Sequence, residues 1–313
     1  MINSLKTAGL FFILISALSF SVSADECTNM QLQPINTVYN FTSGYTVNPS
    51  VVVKANTNPG GCNFFLTVSY GGGGSFANRR LFFAGNPWPV RITKDSAGTN
   101  HLKTLAQATS NNDIVPGVLP AFSGSDTQVT VNFWAELLNV YASRPAGYYA
   151  DSFVVSLYKG TLASNSLQGT FNLTLGVNAV KTVDISIVPT GGSFNLADTT
   201  EVLNFGQLLQ GATRSADVIL KYNAGYILKA SSLNNSRLKH ATLNSYVPYT
   251  ITFAGSTVNL TNSAVTPVTI NQGTGTSPAN GTIYNTVVTI GNFPSNQSNG
   301  SYADTITLTV QSP

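Results

Sequence analysis

Apolar and polar residues alternate one by one along much of this chain, in short runs separated by clusters of Gly, Asn, Ser and Thr. A period of two is the mark of half-buried β-strands. In the first half it predicts strands at 50–54, 64–70, 90–93, 128–137 and 152–158. A further run at 168–177 sets Phe171, Leu173, Leu175 and Val177 on one face. In the second half the same pattern predicts strands at 183–187, 202–205, 216–221, 226–230, 247–253, 286–290 and 305–310. Gly71-Gly72-Gly73-Gly74 and Asn86-Pro87-Trp88-Pro89 break the alternation and predict loops.

One of these segments occurs twice. Gly147-Tyr148-Tyr149-Ala150-Asp151-Ser152-Phe153-Val154-Val155-Ser156-Leu157 returns as Gly300-Ser301-Tyr302-Ala303-Asp304-Thr305-Ile306-Thr307-Leu308-Thr309-Val310. Each copy is a Gly/Tyr/Asp turn leading into a strand with one apolar face. A repeat this long and this far apart points to two domains of one kind. The strand at 168–177 follows the first copy and closes the first sandwich. Only Gln311, Ser312 and Pro313 follow the second copy, and 183–187 already supplies that domain's opening strand.

The expectation is therefore an all-β protein of two tandem Ig-like β-sandwich domains, at 25–180 and 181–313, the second lacking its last strand. Such a domain leaves an apolar groove edged by Val183, Ile185 and Ile187 on one side and Ile306, Leu308 and Val310 on the other. It also leaves a row of unpaired backbone groups. An extended segment of another chain can complete it by strand addition.

Composition agrees with export. Residues 1–24 read as a signal peptide, with Lys6, an apolar run from Leu10 to Phe20, and small residues at Val22-Ser23-Ala24. That run falls short of the roughly 20 apolar residues of a membrane span. Only 9% of residues are charged, and the formal charge of +3 includes no basic cluster, which argues against a nucleic-acid partner. Cys27 and Cys62 are the two cysteines. In an exported protein they predict a disulfide worth about 3 to 4 kcal/mol in the chain-entropy model.

Catalytic chemistry is absent from the pattern. His101 and His240 are the only histidines, one per domain, and no H-E-x-x-H, G-x-S-x-G or P-loop motif occurs. Asp184, Asp198 and Glu201 lie near one another in the sequence without a partner base. No enzyme activity, cofactor or metal site is expected.

Two apolar segments are interrupted by prolines: 81–89, with Phe82, Phe83 and Trp88, and 114–122, with Val115, Val118, Leu119 and Phe122. Neither reads as a central strand. Their side chains either tuck into the core or protrude as stiff adhesive loops, since exposed apolar patches mark interaction sites.

Three stretches carry a family resemblance: Val202-Leu203-Asn204-Phe205-Gly206, residues 216–230, and Gly300-Ser301-Tyr302-Ala303-Asp304-Thr305. They resemble the spore coat protein U domain, the pilin module of archaic chaperone–usher pili. The first domain is similar more loosely, through Cys27, Cys62, Arg79-Arg80-Leu81 and Pro145-Ala146-Gly147-Tyr148-Tyr149-Ala150-Asp151. Two such modules behind a signal peptide resemble the tip adhesins of Csu-type pili.

The resemblance implies partners and a place in the cell. The partners are a periplasmic pilus chaperone, an outer-membrane usher, an adjacent pilin subunit that donates a strand, and an abiotic or host surface. The route runs through the periplasm to the pilus tip, with a role in attachment and biofilm formation. Modules of this family usually carry their own cysteine pair, and here Ile185 and Tyr222 stand about where the second domain's cysteines would be expected. A shaft subunit of the family begins with a donor segment before its first cysteine, whereas Cys27 follows the expected cleavage point almost at once, which implies a subunit that accepts a strand and gives none. A non-adhesive coat or pilus shaft protein is the alternative, and a position along the whole fibre would favour it.

Overall fold

The computed structural model describes residues 27–42, 44–56, 61–121, 126–139 and 144–313. The expected signal segment and Phe122 lie outside the described residues. The chain is all-β, as two tandem Ig-like sandwiches.

The first domain carries β1 (Thr28–Pro34), β2 (Val38–Phe41), β3 (Thr46–Val47), β4 (Ser50–Asn56), β5 (Cys62–Val68), β6 (Arg80–Phe83), β7 (Asn86–Thr93), β8 (Val115–Leu119), β9 (Asp126–Asn132), β10 (Trp134–Leu137), β11 (Gly147–Thr161) and β12 (Ser164–Ala179). One sheet has the order β1-β4-β9. The other runs β2-β12-β11-β6-β7-β10-β3, with β5 on β11 and β8 on β5. A single apolar core draws on both sheets, with Val51, Val53, Phe64, Leu66, Ile92, Phe153, Val155 and Leu173 among its buried side chains. Disulfide Cys27–Cys62 joins the start of β1 to the start of β5.

The second domain carries β13 (Val183–Pro189), β14 (Thr213–Tyr222), β15 (Tyr226–Ser232), β16 (Arg237–His240), β17 (Tyr246–Phe253), β18 (Ser256–Val258), β19 (Val268–Gly273), β20 (Thr282–Ile290), β21 (Tyr302–Ala303) and β22 (Ile306–Gln311). Its larger sheet has the order β13-β14-β20-β17-β16-β21, with β18 on β17; the smaller is β19-β15-β22.

The sequence repeat is also a repeat of structure, down to single hydrogen bonds. Ala150 pairs with Phe82 on β6, and Ala303 in the second copy pairs with Lys239 on β16. The Tyr149 hydroxyl donates to Pro145 O at 2.9 Å, and that of Tyr302 to Ser298 O at 2.8 Å. Each bond reaches back four residues and pins the bend before its strand, as a tyrosine corner does in Ig-like sandwiches. Asp151 accepts from the amides of Gly72 and Ser152, and Asp304 from those of Asn234 and Thr305.

Several sequence expectations need correction. The segment with Pro87 and Pro89 is not a loop but part of β7, which forms a hairpin with β6 through Ala84 and Gly85, both at positive φ. Pro89 O accepts from Leu138 N at 2.9 Å, so both prolines turn their missing N–H to the side where the β7–β10 ladder has already ended at Val90. The segment 115–119, expected not to be a central strand, is an edge strand, β8, paired with β5 alone among the described residues. The run Gly71–Gly73 is a 3-10 turn held by Asp151, rather than a free loop. Residues 202–205, expected as a strand, join no sheet.

Candidate strand-acceptor groove and the apolar segments

In the first domain β11 is bordered on both edges. β12 runs antiparallel along its whole length, from Gly147↔Ala179 to Thr161↔Ser164, and β5 and β6 take the other edge. Phe171, Leu173, Leu175 and Val177 of β12 pack into the core, and Phe153, Val155 and Leu157 beneath them are all 0% exposed.

The repeat counterpart β22 pairs with β15 alone among the described residues. Ile306, Leu308 and Val310, the counterparts of Phe153, Val155 and Leu157, remain partly exposed although they face the core. Thr305 O accepts from Leu233 N on the β15 side at 3.0 Å. The alternation of an antiparallel ladder then turns the backbone groups of Ile306, Leu308 and Val310 to the open edge. These residues thus expose both apolar surface and unpaired backbone.

The other lip is β13, an edge strand bonded to β14. Val183 and Ile185 pack partly buried on the core that also holds Leu308 and Val310. Ile187, expected on the same lip, is different. Its amide donates to Asp198 O at 2.7 Å, so the following loop closes that stretch of the edge and Ile187 has no N–H to offer an incoming strand. Tyr222 and Tyr226 line the neighbouring core, their rings 4.7 Å apart. The Tyr226 hydroxyl meets Tyr284 at 2.5 Å and donates to Asn271 at 3.0 Å, and burial followed by the Tyr284 bond pushes its pKa up.

A network missed by sequence reasoning holds the near end of β22. Asp304 Oδ2 accepts from Ser232 Oγ and the Tyr249 hydroxyl, both at 2.5 Å. Burial first, and then the bond to Asp304, raise the Tyr249 pKa. This carboxylate has more donors than Asp151, its counterpart in the closed domain, and so anchors a strand that lacks a second neighbour.

Where the first domain has its disulfide, the second has an amide. Tyr222 pairs with Val183 and Ile185 with Leu220, so Ile185 and Tyr222 do not face each other as a cysteine pair would. Instead the Asn223 side chain accepts from Thr182 N at 2.8 Å and donates to Val180 O at 2.9 Å. Asn223 O also accepts from Ala146 N of the first domain at 2.9 Å, which ties the two domains at their joint.

The apolar segments divide. Trp88 is core, not an adhesive loop: its indole donates to Leu138 O at 3.1 Å, its ring packs edge-on to Tyr149, and the Arg144 guanidinium covers it at 4.6 Å. Val115 and Leu119 are buried as well, because β8 alternates and these two side chains point inward. Val118 points the other way and is 59% exposed. Phe82 and Phe83 are half-buried, with Phe83 against Tyr149.

Arg79 was the least legible residue of all. Its guanidinium is buried with no carboxylate partner among the described residues and donates to the carbonyls of Ser69, Ile92, Val68 and Leu102, the last at 2.6 Å. Burial lowers its pKa to about 9. Among the described residues no group of His, Cys, Asp and Glu is arranged to hold a metal. His240 is buried and hydrogen-bonded, with Nδ1 accepting from the amides of Thr242 and Leu243.

No family model matches the sequence, and no curated protein matches it. Solved structures matched to this chain include the CupB6 tip adhesin from Pseudomonas aeruginosa, at 12% identity and TM-score 0.37, covering 90% of this chain and 94% of that one. CfaE, the adhesive subunit of CFA/I fimbria of enterotoxigenic Escherichia coli, is 11% identical at TM-score 0.37, covering 90% and 81%. The CooA pilin subunit of enterotoxigenic Escherichia coli covers 48% of this chain and 96% of its own length, at 14% identity and TM-score 0.26. Scores this low establish no common fold, so the architecture rests on the strand order and register of this chain itself.

Proposed function

We propose that this chain is an adhesive subunit at the tip of a chaperone–usher pilus, joined to the fibre by a β-strand that the adjacent subunit lends to its second domain. One observation carries the reading. Phe153, Val155 and Leu157 are sealed under β12, while Ile306, Leu308 and Val310, at the same places in the repeat, are partly exposed beside an unpaired edge. An exposed apolar edge invites aggregation, so a domain of this kind needs a strand from elsewhere.

The first domain supports the accepting role. Its β1 is paired with β4 inside its own sandwich and tied by Cys27–Cys62, which leaves that strand engaged at home. A periplasmic chaperone would cover the groove before assembly, and an outer-membrane usher would exchange it for the neighbouring pilin. The first domain would meet an abiotic or host surface through Val118, Phe82 and Phe83, and so promote biofilm formation. Contact of this kind depends on apolar area and is little affected by salt.

The test is the state of the protein in periplasmic extracts and on fibres. Affinity capture should recover it with a second polypeptide in equal amount, and labelling should place it at one end of each fibre. Labelling along the whole shaft would support the non-adhesive structural reading instead. A stable monomer recovered alone from the periplasm would overturn strand acceptance.

A further inference from the structure

The chain contains two Asn-Gly pairs, Asn280-Gly281 and Asn299-Gly300, and the fold treats them differently. An asparagine before glycine is open to attack on its side-chain amide by the next backbone nitrogen, because no Cβ shields that nitrogen. The attack has two requirements. The nitrogen must be free of a hydrogen bond, and it must be able to give up its proton.

Gly281 N fails the first, since it donates to Pro278 O at 2.9 Å. Gly300 N has no acceptor and the Asn299 side chain no hydrogen-bond partner among the described residues, and both residues are exposed. The glycine at 300 is dictated by His240. Its φ is +144°, and a Cβ there would lie 2.1 Å from Nε2 of the imidazole.

The same ring meets the second requirement. His240 Nδ1 accepts from the amides of Thr242 and Leu243, each at 3.1 Å, so the ring proton belongs on Nε2. Nε2 then donates to Asn299 O at 2.9 Å. That carbonyl is part of the same peptide group as Gly300 N. When Gly300 N loses its proton, the charge spreads onto Asn299 O, and a donor fixed there favours the charged form. The ring is buried and packs edge-on to Tyr302, which holds the donor in place.

We propose that Asn299 is a self-modifying site, at which the side-chain amide is lost through a cyclic imide and His240 promotes the step. Gly300 N gives up its proton and bonds to Asn299 Cγ. The Cγ–Nδ2 bond breaks, and Nδ2 leaves as ammonia with the proton. Water then opens the ring. Cleavage between Gly300 N and Cγ leaves aspartate; cleavage between Gly300 N and the main-chain carbonyl carbon leaves isoaspartate. One water is consumed and one ammonia released, with no oxidant or reductant.

The place of the site gives the change its effect. The Tyr302 hydroxyl donates to Ser298 O at 2.8 Å, and Ala241 N to Ser301 O at 2.9 Å, so the two bonds hold the bend on either side of the reacting peptide. Isoaspartate adds one carbon to the main chain between them and sets a carboxylate beside His240. The bend that leads into β22 is thereby loosened. The first domain is exempt, because Ala146-Gly147 stands at the matching place and alanine has no amide to attack. The chemistry needs no strand in the groove.

The test incubates the purified chain, folded and in urea, and follows conversion of each Asn-Gly pair by peptide mass spectrometry. In the folded chain Asn299 should convert at least about tenfold faster than Asn280, the effect of one net hydrogen bond to a charged group. In urea the two rates should come together. Equal rates in the folded chain would overturn the site, and this comparison needs no variant. His240→Asn keeps an acceptor near the place of Nδ1 and removes the Nε2 donor, whereas His240→Gln keeps a donor near the place of Nε2. The first should slow Asn299 about tenfold, and the second should recover most of that rate, a rescue that a merely loosened bend does not produce. Faster conversion in His240→Asn would show that the ring restrains the segment, and would overturn its promoting role. In the isoaspartyl fraction the Ala241 amide should exchange at least about tenfold faster, and unchanged exchange there would overturn the loosening of the bend.

Discussion

At the scale of single residues, the first domain depends on a charge that has no ionic partner among the described residues. Arg79 satisfies the carbonyls of Val68, Ser69, Ile92 and Leu102, where the ends of β5 and β7 meet the segment around Leu102. Replacing it with methionine keeps the length and the apolar stem but leaves those acceptors buried and unmade, at about 1 to 3 kcal/mol for each that water cannot reach. Arg79→Met should therefore lower first-domain stability by about 3 kcal/mol or more, and Arg79→Lys should recover only part of it, since one ammonium cannot fork to four carbonyls. Urea unfolding followed by tryptophan fluorescence checks this cleanly, because Trp88 and Trp134 both lie in the first domain. A midpoint unchanged in Arg79→Met would show that water reaches these carbonyls. Nothing in the sequence marks Arg79 as the buried member of the Arg79-Arg80 pair, because its burial arises from carbonyls brought together by the fold. Cys27 and Cys62 were legible, by contrast, since a chain with two cysteines has one internal pairing open to it.

At the scale of elements, legibility followed the length and regularity of the alternation. Long strands such as β11, β12, β14, β17 and β20 were visible as apolar-rich runs, most regularly in β17, where buried positions alternate residue by residue, and least in β14, where five consecutive positions are buried. β7 and β8 were hidden by prolines that the sheet tolerates at its edges, and the short β3, β16, β18 and β21 offer too few residues to show a period. Residues 202–205 have the pattern of a strand without a ladder, because pattern records which face is apolar and a ladder needs a neighbour. The adhesive residues were blurred for the same reason. Alternation along β8 sends Val115 and Leu119 into the core and Val118 outward, so one segment holds both answers. Changing Val118 to serine should reduce attachment to apolar surfaces with first-domain stability altered by less than about 1 kcal/mol, and adding Phe82→Ser, at a half-buried site, should reduce attachment severalfold at a larger cost in stability. Leu119→Ser, at a fully buried site, should instead destabilise the domain by about 3 kcal/mol. Counting adherent cells against the Trp fluorescence midpoint separates the two effects, and unchanged adhesion with Val118→Ser and Phe82→Ser would place the contact surface elsewhere.

At the scale of the whole molecule, the chain is a duplicated sandwich in which one copy borders β11 with β12 and the other leaves β22 paired on one side alone among the described residues. The repeat was readable from residues alone, as was the apolar face of Val183, Ile185, Ile306, Leu308 and Val310, which the structure leaves partly buried. The structure adds what residue patterns do not encode: the Asp304 anchor of β22, the Asn223 amide at the domain joint, and the Asp198 closure over Ile187. The duplication also supplies an internal control for the central claim, since Phe153, Val155 and Leu157 differ from Ile306, Leu308 and Val310 chiefly in having a strand beside them. Amide exchange of the chain without any partner compares the two sets in one sample. The first set should exchange at least about a thousandfold more slowly than free peptide, as sites that open only with the domain, and the second set should exchange close to the rate of an exposed edge. Equal protection at Phe153, Val155, Leu157 and Ile306, Leu308, Val310 would mean that the second sandwich is already closed, and would contradict strand acceptance.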